Sequence, residues 1–287
     1  MQVDYDALKK GGFMRQSQKN HFALRLKIVA GRVTAKQLPK LAEVAEKYGK
    51  GYIHLTTRQG IEIPFIRLED IEAVKKELAK VNLHPGVCGP RVRTIIACQG
   101  NILCPHGLID AEAIGKKVDE RYYGQTLPHK FKFAVTGCLN SCAKPQENDF
   151  GVMGVVKPVW EGKDTCSNCE LCVKNCPRNS IWIDAEGVHF DFQKCNLCGD
   201  CIKICPLDCW QVEKIGHTIF VGGRIGRYPE LGQELVRLVS EDEMFRIMDE
   251  TIKFYTEYGN PGERFGATLQ RVGYDKFKQE VVRAKQD

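Results

Sequence analysis

The sequence predicts an α+β fold in two parts, with a cysteine-rich module inserted into the second. Three observations carry this. Residues 22–81 read as β-α-β-β-α from their hydrophobic periodicity, residues 84–91 (HPGVCGPR) interrupt both periodicities, and eight of the cysteines in residues 163–210 fall in two similar blocks. At 287 residues the chain has room for one or two domains. The expected organisation is residues 1–83 as an N-terminal domain, 84–162 with 211–287 as a second, and 163–210 as the insertion.

The first strand is expected at FALRLKIV, residues 22–29. A helix follows from Thr34, where T-A-K-Q forms a capping box ahead of Leu38, Leu41, Val44 and Ala45 at helical spacing. GYIHLTT and IEIPFI read as two short strands about the turn at Arg58, Gln59 and Gly60. A second helix covers residues 68–81, with Ile71, Val74 and Leu78 on one face, so this part is a small α+β sandwich. Past the break come a strand (RTIIA), a helix near residues 108–118, and strands FKFAVTG and FGVMGVV. Strand and glycine turn return at HTIFVGGRIGR, residues 217–227, and a final helical region starts at a capping box from Ser240 to Glu243.

No run of about 18 apolar residues occurs, and MQVDYDALKK lacks the order of a signal peptide, so no membrane span is expected and a cytoplasmic location is. The net charge of +6 is spread singly, without a dense basic run, which argues against nucleic acid and for a small anionic ligand. Fourteen cysteines in a chain of this length point to metal or redox use rather than a disulfide scaffold. The seven histidines show no metal-ligand spacing.

Cys166, Cys169, Cys172 and Cys176 before Pro177 are repeated by Cys195, Cys198, Cys201 and Cys205 before Pro206. Such a run wraps three thiolates around one 4Fe-4S cube and sends the fourth to the other cube. One cluster then takes Cys166, Cys169, Cys172 and Cys205, and the other takes Cys195, Cys198, Cys201 and Cys176. The alternative, a pair of zinc ribbons, normally shows separate two-cysteine knuckles. The doubled pattern therefore indicates electron transfer.

Four more cysteines follow a different rule: Cys98 and Cys104 in ACQGNILC, and Cys138 and Cys142 in GCLNSC. They suffice for a third cube built from two turns of a larger fold, and on spacing alone they would also suffice for a structural zinc. Cys88 and Cys209 are left as buried or turn thiols.

The motifs C-x5-C and C-x3-C, set in VRTIIACQGNILCPHG and TGCLNSCAKPQENDFGVMGVV, closely resemble the siroheme and 4Fe-4S domain of sulfite and nitrite reductases. The resemblance extends to LRLKIVAGRVT, LTTRQGIEIPF, LPHKFKF, VGGRIGR and NPGERFG, and covers nearly the whole chain. With the inserted module, the closest likeness is to the small subunits of anaerobic or dissimilatory-type sulfite reductases. It implies a ferredoxin-like N-terminal domain, a siroheme and 4Fe-4S α+β domain, and an inserted two-cluster ferredoxin domain. The implied cofactors are siroheme and three 4Fe-4S clusters, with the siroheme iron bridged to its cube by one shared thiolate, here Cys142.

The resemblance further implies cations that grip sulfite and deliver protons: Lys27, a lysine where the family often has arginine, with Arg93, Lys130 and Lys132. Lys130 and Lys132 are two apart in an expected strand and so share one face, where partial desolvation would lower their pKa toward that of a proton donor. The bland alternative is a solvated strand face. Arg25, Arg58 and Arg224 are candidates for the macrocycle carboxylates, and Gly222 and Gly223 for close backbone approach; equally, Arg58 is a turn arginine and the glycines form a hairpin.

Assimilatory relatives carry two copies of this unit where this chain has one, so a homodimer or a heteromer with a paralogous subunit is expected. The implied reaction is six-electron reduction of sulfite to sulfide. Nitrite reduction on the same apparatus and a non-catalytic siroheme or electron-transfer subunit are the alternatives, and Lys27 favours the last. VGGRIGR does not fit G-x-G-x-x-G, so electrons must come from an external donor, a ferredoxin or a flavoprotein subunit, in an anaerobic cytoplasm.

Overall fold

The computed structural model describes residues 3–283. It opens with α1 (Tyr5–Lys10), whose Asp6 and Ala7 N–H groups are capped by the Asp4 carboxylate, and β1 (Phe13–Arg15). Both are too short for a hydrophobic period to register. β2 (His21–Arg25), α2 (Leu38–Tyr48), β3 (His54–Leu55), β4 (Ile61–Arg67) and α3 (Ile71–Ala79) follow. The strands form an antiparallel sheet in the order β1-β2-β4-β3. Phe22 and Leu24 of β2 and Ile61 and Ile63 of β4 alternate toward one face. There they pack in one core with Leu41 and Val44 of α2 and Ile71, Val74 and Leu78 of α3.

Two of the boundaries that differ from the sequence reading have a visible cause. β2 stops at Arg25 because the chain then leaves β4 to bridge residues 84 and 85, with Leu26 opposite Pro85 and the Lys27 N–H on His84 O (2.9 Å). It next turns through a short 3-10 segment, Val29–Gly31. The capping box half forms, the Gln37 side chain accepting from the Thr34 N–H at 2.9 Å, yet the helix begins at Leu38. Pro39 explains the delay. A helix begun at residue 35 would need its missing N–H and clash with its ring, whereas the first turn of a helix needs neither.

The second part contains β5 (Ile96–Ala97), α4 (Ala111–Tyr122), β6 (Phe133–Thr136) and β7 (Phe150–Trp160). Next come the small elements α5 (Leu171–Lys174), β8 (Ile181–Asp184), β9 (Gly187–Phe190) and α6 (Asp200–Ile204). It closes with β10 (Trp210–Val221), β11 (Gln233–Val239), α7 (Glu241–Tyr258), α8 (Phe265–Val272) and α9 (Tyr274–Arg283). The five-stranded sheet runs β11-β10-β7-β6-β5, parallel from β5 to β7 and antiparallel beyond. Phe131, Phe133, Phe150, Tyr255 and Phe265 knit it to the C-terminal helices through ring contacts of 5.0 to 5.6 Å. The Ser240 hydroxyl caps α7 on the Glu243 N–H (3.2 Å), as the sequence predicts.

β10 starts seven residues before the strand expected at His217, because Trp210 already pairs with Trp160 and Gly216 with Val155. The polar residues Gln211, Glu213 and Lys214 hide that pairing from a periodicity reading. The result is a long β7–β10 ribbon with the cysteine-rich segment at one end and Phe150 and Val221 at the other. Among the described residues no helix is long and apolar enough to cross a membrane.

Candidate functional site

The two sheets meet at the 56–60 turn. The Thr56 hydroxyl accepts from the N–H groups of Arg58 and Gly60 (3.3 and 3.0 Å), which tightens the turn and aims its side chains at the second part. Arg58 there donates to Asn148 Oδ1 and to the Thr94 carbonyl (3.2 Å). The Gln59 amide donates to Ala97 O (2.8 Å) and accepts from Ala97 N (3.0 Å), so it stands in for a strand partner of β5 next to Cys98.

A cleft of about 270 Å³ lies beside this turn, lined by Arg25, Arg58, Arg93, Lys130 and Lys132 and by no acidic residue. Arg25 is held by Glu62, its partner across β2 and β4. Arg93 donates to the Val87 and Gly89 carbonyls (3.3 and 3.1 Å), while its buried Nε has no partner. Phe131 is fully buried, and Lys130 and Lys132 on either side of it reach the cleft. These lysines share a face as expected, although their segment joins the second sheet by a single bridge, Val92 to Phe131, before β6 begins.

Beneath them Asp149 is fully buried. It accepts from the Lys132 N–H (3.0 Å) and from the Arg264 guanidinium (2.9 Å to each oxygen). Burial, then the neighbouring Arg58, brings the Lys132 ammonium down to about 8. Burial, then Arg264 and Arg93, lowers Lys130 also. Arg58 itself falls to about 10, mainly through burial, and His129 beside Lys130 is lowered for the same reason. The cleft thus holds more positive charge than its surroundings neutralise, which suits a multiply charged anion.

A second cavity, about 600 Å³, shares Ile28, Thr56, Gly60 and Ile61 with the cleft, and Cys98, Cys104, Cys138 and Cys142 all line it. The cysteine turns approach through glycine: a Cβ on Gly100 would lie 2.5 Å from Ala111 N, and one on Gly137 would lie 3.0 Å from Gly100 Cα. The Gly137 N–H donates to Cys98 Sγ at 3.0 Å. Burial pushes the Cys138 thiol up, a penalty that ligation to iron would reverse by holding the thiolate. The thiols are spread around the cavity, and among the described residues no three Cys, His, Asp or Glu side chains gather as on a single ion. Four thiols around one cavity, joined to a cluster of cations with an unpartnered Arg93 Nε, fit a cube against an anionic macrocycle.

Between residues 163 and 210, Cys176, Cys195, Cys198 and Cys201 line one small cavity. Backbone N–H groups point at the sulfurs: Ser180 at Cys176, Leu197 at Cys195 and Cys209 at Cys205, each 3.3 Å. Cys166, Cys169 and Cys172 form the other loop, with Cys169 exposed. Cys88 and Cys209 are buried, as expected.

Four predicted positions do not join these sets. Lys27 turns away from the cleft to pair with buried Asp119 (2.6 Å) and to lie over the Tyr123 ring (3.9 Å). Gly222 and Gly223 do permit close backbone approach, but of the 145–149 turn: the Gly222 N–H donates to Asp149 O (2.9 Å), and a Cβ on Gly223 would fall 2.1 Å from Gln146 O. Arg224 pairs with Glu230 (3.0 Å). Sequence reasoning also missed Gln59, Asn148, Asp149 and Arg264. The segments QENDF and NPGERFG contain the last three, but a buried carboxylate and an arginine this far apart in sequence leave no local pattern to read.

Comparison with known proteins agrees with this arrangement. Residues 88–287 match the nitrite and sulphite reductase 4Fe-4S domain, and residues 14–81 the nitrite/sulfite reductase ferredoxin-like half domain. The coenzyme F420-dependent sulfite reductase of Methanocaldococcus jannaschii is 32% identical over 94% of this chain, which spans 44% of that protein's length. A subunit of the anaerobic sulfite reductase of Salmonella typhimurium is 29% identical over the whole chain and 91% of its own length. The crystal structure of dissimilatory sulfite reductase I superposes with a TM-score of 0.76 at 22% identity, covering 93% of this chain and 70% of that one, which establishes the shared fold. The chain belongs to the siroheme-dependent sulfite and nitrite reductase family, whose members bind siroheme and 4Fe-4S clusters.

Proposed function

We propose that this chain is a sulfite reductase subunit, reducing sulfite to sulfide with electrons relayed through ferredoxin-type clusters bound by the segment 163–210. The observation that carries the reading is the joining of a cavity lined by four cysteines to a cleft lined by five cations. Siroheme with its 4Fe-4S cube would supply the redox iron at which sulfur–oxygen bonds are broken.

Cys98, Cys104, Cys138 and Cys142 would hold that cube, with Cys142 as the shared ligand. Arg25 and Arg58 suit macrocycle carboxylates, because a guanidinium can bind a carboxylate through two N–H groups. Arg93, Lys130 and Lys132 suit the sulfite oxygens. Conversion of sulfite to hydrosulfide and three waters takes six electrons and seven protons, so the site needs proton donors as much as cations. Lys132, brought to about 8, is charged at neutral pH yet releases its proton more readily than an ordinary lysine. The Asp149–Arg264 pair fixes its backbone from below.

The proposal is completed by an external one-electron donor and a second subunit. Steady-state assays of anaerobically purified protein with sulfite and with nitrite test it. Siroheme absorption bands with preferred sulfite turnover support the reading; preferred nitrite turnover replaces the substrate, and bands without turnover on either reduce the chain to a siroheme-carrying subunit.

A further inference from the structure

We propose that the two cluster sites of the inserted segment stand in a fixed order. The site of Cys176, Cys195, Cys198 and Cys201 is the inner one, next to the Cys98, Cys104, Cys138 and Cys142 cavity, and that of Cys166, Cys169, Cys172 and Cys205 is the outer one, where electrons enter. The small apolar cluster of Met153, Val155 and Leu197, against which Leu139 packs, joins the inner site to the siroheme-linked cavity. The proposal rests on the function proposed above and adds direction to it.

The two loops are the same structure twice, offset by 29 residues. The repeat includes the cysteines and also the backbone: positive φ recurs at Asn168 and Leu197 (52° and 64°), at Glu170 and Gly199 (60° and 75°), and at Asn179 and Asp208 (49° and 51°). Ser180 and Cys209 donate equivalent N–H···S bonds, both at 3.3 Å. Loops of one shape would meet solvent alike if nothing else distinguished them. They do not: residues 167–171 are all exposed, whereas Leu197 is 2% exposed and Gly199 is buried.

The substitutions between the repeats explain the difference. Asn168 tolerates a left-handed backbone, while leucine in that region is strained, so Leu197 must be held by packing. It is held in one cluster with Met153 and Val155, against which Leu139 also packs, and its carbonyl accepts from the Val156 N–H (3.0 Å). Gly199 stands where the other loop has Glu170, and a Cβ there would lie 2.5 Å from Val156 Cγ1, so the loop lies too close to β7 for any side chain. Leu139 lies between Cys138 and Cys142, and Leu197 between Cys195 and Cys198. Both ligand loops therefore send a leucine to one small apolar cluster on β7.

β7 gives the spacing. Met153 pairs with Thr136, two residues before Cys138, while the outer loop is tied to the far end by the Cys166 N–H on Gly162 O (2.9 Å). At roughly 3.3 Å per residue, the Leu197 contacts lie within about 10 Å of Met153 along the strand and Gly162 about 30 Å away. Because electron tunnelling falls steeply with distance, each electron from a low-potential one-electron donor passes from the outer cluster to the inner, and then to the cube held by Cys98, Cys104, Cys138 and Cys142; six such transfers oxidise six donors per sulfite.

Electron paramagnetic resonance of the fully reduced protein tests the order, since neighbouring reduced clusters broaden each other. Cys198→Ser should leave the outer cluster with a narrow, unperturbed signal. Cys169→Ser should leave an inner-cluster signal still broadened by the siroheme-linked centre. The reverse pattern overturns the order. Where serine costs both clusters of the segment by iron analysis, Leu197→Asn serves instead: it should retain all iron and weaken the interaction between the inner cluster and the siroheme-linked centre, and an unchanged interaction overturns the proposal. The visible spectrum of the same samples separates the two readings, because absent siroheme bands overturn the proposed function and the order together, whereas bands with a reversed pattern overturn the order alone.

Discussion

Lys132 is the residue on which chemistry and stability pull in opposite directions. Its ammonium is half-buried near Arg58 and Lys130, which brings it to about 8 from 10.5 in an ordinary lysine. A donor of that pKa loses its proton as pH rises through about 8, so sulfite turnover should fall over the same range, and Lys132→Arg should move that limb to higher pH. Lys132→Met should lower kcat by about a hundredfold or more. It should also raise Tm at neutral pH, because a pKa lowered by folding means that the native state resists the charge. That gain shrinks as pH rises from about 8 toward 10.5, where the native lysine has already shed its proton. Lys27 behaves differently. Its partner Asp119 is buried with one oxygen unpartnered, so Lys27→Met should cost about 3 kcal/mol by leaving a carboxylate unpaired, measured by chemical denaturation. The sequence could show that Lys27 is a cation at a family position, but Asp119 comes from α4, and no spacing rule links the two.

At the scale of elements, the sequence was most legible where periodicity ran long. α2, α3 and α7 lie within the segments that their apolar stripes mark out, while β4 and β7 start where expected and run on to Arg67 and Trp160. It was least legible where one proline, a short pairing or a partner far along the chain set the boundary, as at Pro39, Leu26 and Trp210. The glycine pair after β10 shows the same limit for the site. Gly222 and Gly223 advertise a close approach without saying to what, and the structure shows them supporting the 145–149 turn that carries Asn148 and Asp149. Gly223→Ala should push that turn away, costing about 1–3 kcal/mol and loosening the hold of Asn148 on Arg58. A fall in Tm together with a raised KM for sulfite would register both effects; an unchanged KM would confine the glycines to stability.

At the scale of the molecule, the basic cleft lies where the two sheets meet, and the cysteine cavity opens beside it. The cysteines were legible because ligand spacing is local and thiols are rare. The cleft was legible only in part, because Arg25, Arg58, Arg93 and the two lysines converge from widely separated segments, and their convergence is a property of the fold. A subunit with one copy of this unit should assemble with a second; mass photometry showing a single chain that still reduces sulfite would contradict that. The most direct test of the whole account is Cys142→Ser, purified anaerobically beside the unaltered protein. If Cys142 joins a cube to siroheme, the variant should lose sulfite turnover and the magnetic coupling between siroheme and cube, while the two clusters of the inserted segment keep their signals. Undiminished turnover with the coupling intact would contradict it, and would leave Cys98, Cys104, Cys138 and Cys142 a structural role alone.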